Sequence, residues 1–206
     1  MTLDTIKIDP PSGSKAKYSL VALHGWGSNA QDLAALVPSF NLPDWQFILP
    51  NAPFPHRAVP DGFAWYSFDS DKYDGLLESK QRLGEFLQSL QKNSEIPLSR
   101  TILAGFSQGG AMTLEIGLNL PLAGLCCLSG YLHSLPPVKE NFKFPPVLIV
   151  HGDRDQIVPV KAAIAAKDKL TSIGVEVEYS QFEMGHEIQP PVIALIEKFI
   201  FARSLG

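Results

Sequence analysis

The sequence predicts an α/β fold in which a mostly parallel central sheet carries helices on both faces. Short, continuous apolar runs alternate along the chain with longer segments whose apolar residues recur at helical spacing. Strands and helices that alternate in this way typically build a parallel sheet covered on both sides. With 206 residues, 45% of them hydrophobic, the chain is long enough to bury one proper core. We therefore predict a single domain over residues 1–206.

Six apolar segments are predicted to be strands. Most are unbroken apolar runs, as expected for strands buried on both faces, whereas the last alternates and contains β-branched residues. The predicted strands cover residues 18–23, 45–49, 101–106, 122–128, 147–151 and 175–182.

Five segments are predicted to be helices. Ser28 and Gln31 have the spacing of a capping box and place a helix start near residue 29. Pro159 in a first turn and Gly174 just past a last turn bound another helix. The predicted helices cover residues 29–37, 75–91, 108–120, 159–173 and 192–201.

Charge and composition exclude several classes of function. The net charge is −4, and no basic cluster stands out, so nothing indicates nucleic-acid binding. No apolar run approaches the ~18 residues of a membrane span, and the N-terminus lacks the pattern of a signal peptide. Cys126 and Cys127 are neighbours in a predicted strand and point to opposite faces, which disfavours a disulfide. We expect a cytoplasmic protein with no stable membrane insertion.

Two proline-rich segments interrupt the alternation of strands and helices. Residues 50–74 and 130–146 each follow the end of a predicted strand. Long irregular loops in a compact domain are usually functional, and ligands of open α/β sheets bind beyond the carboxyl ends of the strands. We predict that these two segments form the walls and rim of a site.

The strongest local motif lies between a predicted strand and a predicted helix. Residues 105–109 read Gly-Phe-Ser-Gln-Gly, which fits the G-x-S-x-G pattern of a nucleophilic serine on a sharp turn. Such a turn strains the backbone of Ser107 and exposes its hydroxyl above the sheet edge. Side chains at Gly105 and Gly109 would collide with the neighbouring elements. We therefore predict that Ser107 is a nucleophile.

A serine hydroxyl needs a base to become nucleophilic. Three histidines, His133, His151 and His186, follow Ser107 in the chain, as the usual order of serine, acid and histidine requires. His186 lies between the last predicted strand and the last predicted helix, in a loop that opens toward the carboxyl edge of the sheet. We predict His186 as the base, His133 as a pocket or surface residue, and His56 as a surface residue.

The acid that orients the base has two candidates, Asp153 and Asp155, because both follow the strand that ends at residue 151. Their spacing does not separate them. An oxyanion hole also needs two backbone N–H groups. We predict the amides of Gln108, directly after the nucleophile, and of Trp26, in the glycine-containing loop after the first long strand.

At this point the chain resembles a known family, the carboxylesterases, lysophospholipases and acyl-protein thioesterases of the α/β-hydrolase fold. The resemblance extends from about residue 23 to residue 199. It is carried by residues 23–27 (Leu-His-Gly-Trp-Gly), 51–53 (Asn-Ala-Pro), 65–66 (Trp-Tyr), 105–111 (Gly-Phe-Ser-Gln-Gly-Gly-Ala), 151–159 (His-Gly-x-x-Asp-x-x-Val-Pro) and 185–186 (Gly-His).

The resemblance implies a mechanism and a set of residues. It implies the α/β-hydrolase fold, a catalytic triad of Ser107, Asp155 and His186, and an oxyanion hole formed by the amides of Trp26 and Gln108. It thereby selects Asp155 over Asp153. It implies an acyl ester or thioester of a small or lipid-like molecule as substrate. A serine mechanism requires no cofactor, and the sequence has neither an H-E-x-x-H motif nor a Cys/His cluster with zinc-ligand spacing, so we expect no cofactor and no metal. Members of the family are often dimers, which extends the expectation of a homodimer to this chain.

Two departures from the family pattern bear on the substrate. Trp26 stands where the family most often has leucine, and residues 129–133 read Ser-Gly-Tyr-Leu-His where the animal thioesterases carry Cys-Trp-Leu-Pro. We therefore predict a shallow pocket with Trp65, Tyr131 and Leu132 at the rim, and a preference for short to medium acyl groups.

Four other functions are alternatives to a carboxylesterase. An acyl-protein thioesterase or a lysophospholipase would use the same chemistry on a different substrate. A non-catalytic binding protein could use the same fold, but it would not need a complete triad. A peptidase of this fold usually has an added domain, for which the chain has no room.

Overall fold

A seven-stranded sheet forms the centre of the molecule in the computed structural model, which describes residues 3–11, 13–69, 72–93, 96–137 and 140–204. The spatial order of the strands is β1-β3-β2-β6-β7-β8-β9, with β1 antiparallel to β3 and all other pairs parallel. Strands β4 and β5 pair with each other outside this sheet. The strands are β1 (Thr5–Ile8), β2 (Tyr18–Leu23), β3 (Trp45–Pro50), β4 (Phe54–Pro55), β5 (Phe63–Ala64), β6 (Thr101–Phe106), β7 (Gly124–Leu128), β8 (Val147–Gly152) and β9 (Val177–Phe182).

Five α-helices cover the two faces of the sheet. They are α1 (Ala30–Ala34), α2 (Leu76–Asn93), α3 (Gln108–Gly117), α4 (Val160–Ser172) and α5 (Pro190–Ser204). One core contains buried side chains of α2, α3 and α4, and the other contains those of α1 and α5. The central strands contribute alternate residues to the two cores, because successive side chains of a strand point to opposite faces. The predicted α/β architecture is confirmed.

The adjacent cysteines illustrate this alternation. Cys126 belongs to the core under α1 and α5, whereas Cys127 belongs to the core under α2, α3 and α4. Both are free thiols and fully buried, and burial raises the pKa of Cys127 to about 12. The two side chains thus point to opposite faces of the sheet, as predicted, and this geometry disfavours a disulfide between them.

The six predicted strands and five predicted helices are all present, with ends that differ by up to three residues, but the predicted capping box of Ser28 and Gln31 was wrong. The cap of α1 is Asn29, whose side chain accepts from the amide of Asp32, while the Asp32 carboxylate accepts from the amide of Asn29. Ser28 instead donates to the Asp32 carboxylate. The helix also ends at Ala34 rather than residue 37, and a 3₁₀ turn with Pro38 in its first turn follows, since proline cannot donate to a preceding turn.

Three short strands were not predicted. Strand β1 has four residues and lies at the sheet edge, and β4 and β5 have two residues each within the first proline-rich segment. Segments this short contain too few residues to show a period. Among the described residues, no helix has both the length and the apolar content needed to cross a bilayer.

Candidate active site

Ser107 occupies a strained turn between β6 and α3. Its backbone has φ 54° and ψ −117°, a region that non-glycine residues rarely adopt and that marks functional turns. A Cβ at Gly105 would lie 2.2 Å from the Gly109 carbonyl oxygen, and a Cβ at Gly109 would lie 2.2 Å from the Leu23 carbonyl oxygen. Only glycine permits helix α3 to start this close to the strands. The predicted sharp turn and the reason for its glycines are confirmed.

The loops after β8 and β9 place an aspartate and a histidine beside this serine. Nε2 of His186 lies 2.9 Å from the Ser107 hydroxyl oxygen, and Nδ1 of His186 lies 2.7 Å from Oδ2 of Asp155. Because the Asp155 carboxylate can only accept, Nδ1 of His186 carries the ring proton and donates a hydrogen bond to it. Nε2 is then unprotonated and accepts from the Ser107 hydroxyl. This is the arrangement of a nucleophile, a base and an orienting acid.

Asp155 is held as a carboxylate by several donors. Its Oδ1 accepts from the amides of Ile157 and Val158, both at 2.9 Å. Burial raises the pKa of the Asp155 carboxyl, but the hydrogen bond from His186 and the two amides outweigh burial and hold the pKa below its ordinary value. Nε2 of the fully buried His151 donates to the Val158 carbonyl at 2.7 Å and lies 3.4 Å from Oδ2 of Asp155.

The other candidate acid points elsewhere. The side chain of Asp153 is exposed, and its backbone amide donates to the Phe182 carbonyl. Of the two aspartates that spacing alone left open, Asp155 is therefore the one in contact with His186.

The loop after β2 brings backbone amides next to Ser107. A Cβ at Gly25 would lie 3.4 Å from Cβ of Ser107 and 3.4 Å from the Phe106 ring, so this loop touches the turn directly. Within the part of the chain that the structure describes, the amides of Trp26 and Gln108 donate to no protein acceptor. Free amides next to a nucleophile are what an oxyanion hole requires.

The buried His24 forms hydrogen bonds that fix the conformation of the loop after β2. The amide of Ala52 donates to Nε2 of His24 at 3.0 Å, so the ring proton resides on Nδ1, which donates to the Gly25 carbonyl at 2.7 Å. Burial lowers the pKa of His24 to about 4, and the ring is therefore neutral at pH 7.

Trp65 was predicted at the pocket rim, and that prediction is wrong. Its side chain is 0% exposed and its indole N–H donates to the His24 carbonyl at 3.0 Å. Its backbone amide donates to Oε1 of Gln108 at 2.8 Å. A substrate cannot touch this side chain in the structure, because the ring is enclosed by protein and packs against the loop after β2.

The other two predicted rim residues lie closer to the surface. Tyr131 is half-buried, and its hydroxyl is hydrogen-bonded to that of Tyr66 at 2.6 Å. The Tyr66 hydroxyl is also 2.9 Å from Nε2 of His133, whose pKa is lowered by burial. Leu132 is half-buried against the core. These contacts join the two proline-rich segments to each other near the turn at Ser107.

Two other histidines make contacts that the sequence did not indicate. His56 was expected at the surface but is half-buried, with its ring centroid 4.2 Å from that of Trp26. Its Nδ1 accepts from the amides of Ala58 and Val59. His24 carried no prediction beyond its glycine-rich loop. Both are residues whose partners come from distant or irregular segments, so no periodic pattern marks them.

A cleft and a small cavity lie near the site. A cleft of about 580 Å³ is lined on one side by Trp26, Phe54, His56 and Tyr66. A smaller apolar cavity of about 50 Å³ lies between the sheet, α1 and α5, with Phe106 in its wall. The Phe106 ring also packs against His186 at 4.8 Å between centroids. Among the described residues, no three His, Cys, Asp or Glu side chains are grouped so that they could hold a metal ion.

Comparison with known proteins identifies the family. A family model described as phospholipase/carboxylesterase matches residues 6–203 of the chain. The chain belongs to this phospholipase/carboxylesterase family. It has the α/β-hydrolase fold and is a hydrolase of the serine type, as the sequence predicted.

Individual relatives of this family member cover almost its whole length. An acyl-protein thioesterase 1 from Neurospora crassa is 30% identical over 94% of the chain and 89% of that protein. An acyl-protein thioesterase 1 homologue from Dictyostelium discoideum is 30% identical over 88% of both proteins. The crystal structure of esterase PE8 superposes with a TM-score of 0.86 at 33% identity and covers 98% of the chain and 99% of PE8. Acyl-protein thioesterase 2 from Zea mays, at 23% identity and a TM-score of 0.79, has the same fold.

Proposed function

We propose that the protein is a serine carboxylesterase that hydrolyses carboxylic esters with short to medium acyl groups through an acyl-enzyme. The observation that carries the proposal is the continuous line of hydrogen bonds from Ser107 through His186 to Asp155. Hydrolysis by a serine, a histidine and an aspartate joined in this way needs no metal or organic cofactor, because side chains and backbone amides supply every group that the reaction uses.

The proposed reaction begins at Ser107. Nε2 of His186 accepts the hydroxyl proton as the serine oxygen attacks the ester carbonyl carbon, and Asp155 stabilises the imidazolium that forms. The carbonyl oxygen becomes an oxyanion that the amides of Trp26 and Gln108 bind. His186 then gives its proton to the leaving alcohol, and the C–O bond to that alcohol breaks.

The second half of the reaction repeats these steps with water. His186 accepts a proton from water, and the resulting hydroxide attacks the acyl-serine carbonyl. The same two amides bind the second oxyanion. Collapse of this intermediate releases the carboxylic acid and returns the proton to Ser107.

The crowding of the opening supports the preference for shorter acyl groups. The side chain of Trp26 is 50% exposed beside the oxyanion loop, and its ring contacts those of His56 and Phe68 at 4.2 and 5.8 Å between centroids. Tyr66, which lines the same cleft as Trp26, is held by a hydrogen bond between its hydroxyl and that of Tyr131. Bulky rings held together by such contacts leave less room for a long chain than aliphatic side chains would.

A thioesterase is the second candidate, because two relatives that are 30% identical are named acyl-protein thioesterases. A lysophospholipase would share the same chemistry. The test is a series of p-nitrophenyl esters and matched acyl thioesters of two to sixteen carbons, preceded by labelling with a fluorophosphonate. We expect labelling, and a maximum of kcat/KM at short to medium oxygen esters. A maximum at palmitoyl thioesters would overturn the carboxylesterase in favour of the thioesterase.

We also propose a cytoplasmic location and a homodimer for this enzyme. Free, buried cysteines suit a reducing compartment. Light scattering of the purified protein tests the dimer, and fractionation of cells tests the location.

A further inference from the structure

Trp65 contacts both segments that carry the proposed oxyanion donors, the loop after β2 and the start of α3, although its side chain is fully buried. Its indole N–H donates to the carbonyl of His24, at the start of the loop that contains Trp26. Its backbone amide donates to the side chain of Gln108, the residue that follows the nucleophile. Its carbonyl accepts from the hydroxyl of Ser79 on helix α2. Three hydrogen bonds therefore attach this one residue to three separate elements.

His24 links Trp65 to the peptide between Gly25 and Trp26. Nδ1 of His24 donates to the Gly25 carbonyl at 2.7 Å, and that carbonyl belongs to the same peptide unit as the Trp26 N–H. A trans peptide is planar, and its C=O and N–H point in opposite directions. The hydrogen bond from His24 fixes the direction of the Gly25 carbonyl, and the Trp26 N–H must then point to the opposite side of the same peptide.

The ring of Trp65 also packs beside the imidazole of His24, with 5.7 Å between their centroids. Both side chains are 0% exposed, so water cannot substitute readily for either partner. On the other side of the turn, the Gln108 side chain accepts from the Trp65 amide at 2.8 Å and donates to the Tyr66 carbonyl at 2.8 Å. These two bonds tie the first residue of α3 to the Trp65–Tyr66 backbone.

We propose that Trp65 is a positioning residue of the oxyanion hole: through His24 and Gln108 it orients the two amides that bind the oxyanion. This inference rests on the proposed function, since it assigns a residue to the same reaction. It replaces the substrate contact predicted from the sequence with a different role for the same residue. Preorganised donors are effective because they need not reorient when the charge develops.

The experiment compares two buried tryptophans. Trp65→Phe keeps the backbone bonds and most of the ring volume but removes the indole donor. Trp45→Phe is the matched control, because Trp45 is also buried but stacks on Tyr18 at 4.8 Å at the amino end of β3, away from the carboxyl edge of the sheet where Ser107 lies. Each variant is assayed for hydrolysis of p-nitrophenyl butyrate, for inhibition by an alkyl trifluoromethyl ketone, and for urea unfolding. The inhibitor forms a tetrahedral adduct whose oxygen occupies the oxyanion hole.

We expect Trp65→Phe to lower kcat/KM about 10- to 100-fold and to weaken the ketone by a similar factor, with KM within about twofold of the wild type. Trp45→Phe should lower stability but leave kcat/KM and ketone inhibition at their wild-type values. A purely structural role for Trp65 would lower stability as Trp45→Phe does, without a selective loss of ketone affinity.

A second variant, Ser79→Ala, tests the same residue from helix α2. It removes only the hydroxyl that holds the Trp65 carbonyl, and we expect a smaller loss in both kcat/KM and ketone affinity. If Trp65→Phe does not fold, unchanged values in Ser79→Ala overturn the inference. A folded Trp65→Phe with wild-type values, or with a raised KM at constant kcat, also overturns it. A wild-type protein that neither hydrolyses esters nor reacts with a fluorophosphonate would instead overturn the proposed function, and this inference with it.

Discussion

At the scale of single residues, Ser107 combines a strained backbone with a hydroxyl that is bonded to His186. Ser107→Ala removes the proposed nucleophile and should lower kcat by about 10⁴- to 10⁶-fold, the loss expected for a triad serine. The free energy of unfolding should change little, since within the described part of the chain the hydroxyl is hydrogen-bonded only to His186. Ester hydrolysis and urea unfolding of the purified variant check the two expectations. Retention of a tenth of the activity would show that another group is the nucleophile.

The two neighbouring aspartates provide a matched pair of substitutions. Asp155→Asn replaces the acceptor of the His186 Nδ1 proton by an amide and favours the wrong tautomer of the ring, so kcat should fall by roughly 10⁴-fold. Asp153→Asn changes an exposed side chain two residues away, and kcat should stay within about threefold of the wild type, as is usual for surface substitutions. Steady-state kinetics of both variants with one short ester decide the matter. Equal losses would contradict the assignment of Asp155.

At the scale of elements, two helical glycines have opposite surroundings. A Cβ at Gly109 in α3 would lie 2.2 Å from the Leu23 carbonyl oxygen, whereas a Cβ at Gly84 in α2 would meet nothing within 4 Å. Gly84→Ala should therefore raise the free energy of unfolding by about 0.5–1 kcal/mol, because alanine loses less backbone entropy in a helix.

Gly109→Ala should have the opposite effect, because a methyl group must push α3 away from β2. We expect a loss of more than about 3 kcal/mol or a failure to fold, as for strong overpacking in a core. Urea unfolding of the two variants in parallel checks both signs. A stable, active Gly109→Ala protein would show that α3 can shift without disturbing the turn at Ser107.

At the scale of the whole molecule, stability should depend on pH through groups whose pKa differs between the folded and unfolded states. The pKa of His24 is lowered from 6.5 to about 4 by burial. Between these two values the unfolded chain binds a proton that the folded chain does not, so stability falls as the pH falls. The effect of His24 amounts to roughly 3 kcal/mol between pH 6.5 and 4 and is absent above pH 6.5.

Two other groups contribute with the same sign. The pKa of His133 is lowered by burial, so it adds to the loss on acidification below pH 6.5. The pKa of Asp155 is lowered below 3.8, so its contribution is present above pH 3.8 and is lost as the pH falls through its folded value. Urea unfolding at intervals from pH 7 to 4, for the wild type and for His24→Asn, isolates the largest effect. We expect a flatter pH dependence in the variant, and parallel curves would contradict the assignment to His24.

The sequence by itself predicted the fold class, which the structure and the family match confirm, and it singled out Ser107 and His186 as candidates for the nucleophile and the base. Buried strands, amphipathic helices and the turn at Ser107 are local patterns, because each depends on residues that are close along the chain. The order of strands and helices then placed His186 at the same sheet edge as Ser107, since parallel strands end on one side. Family resemblance selected Asp155, which the spacing of the two aspartates could not separate.

Only the tertiary structure decided how the loops meet. Trp65 could have lined an opening or filled the space beneath it, since an indole ring is apolar with one polar atom and suits either place. Its burial follows from its partners, His24, Gln108 and Ser79, which are separated from it by between 14 and 43 positions along the chain. The same holds for Tyr66, whose hydroxyl is bonded to Tyr131 and His133, 65 and 67 positions away. Contacts between irregular segments have no periodic signature. Which side chains meet depends on the positions at which the helices and strands fix the ends of each loop.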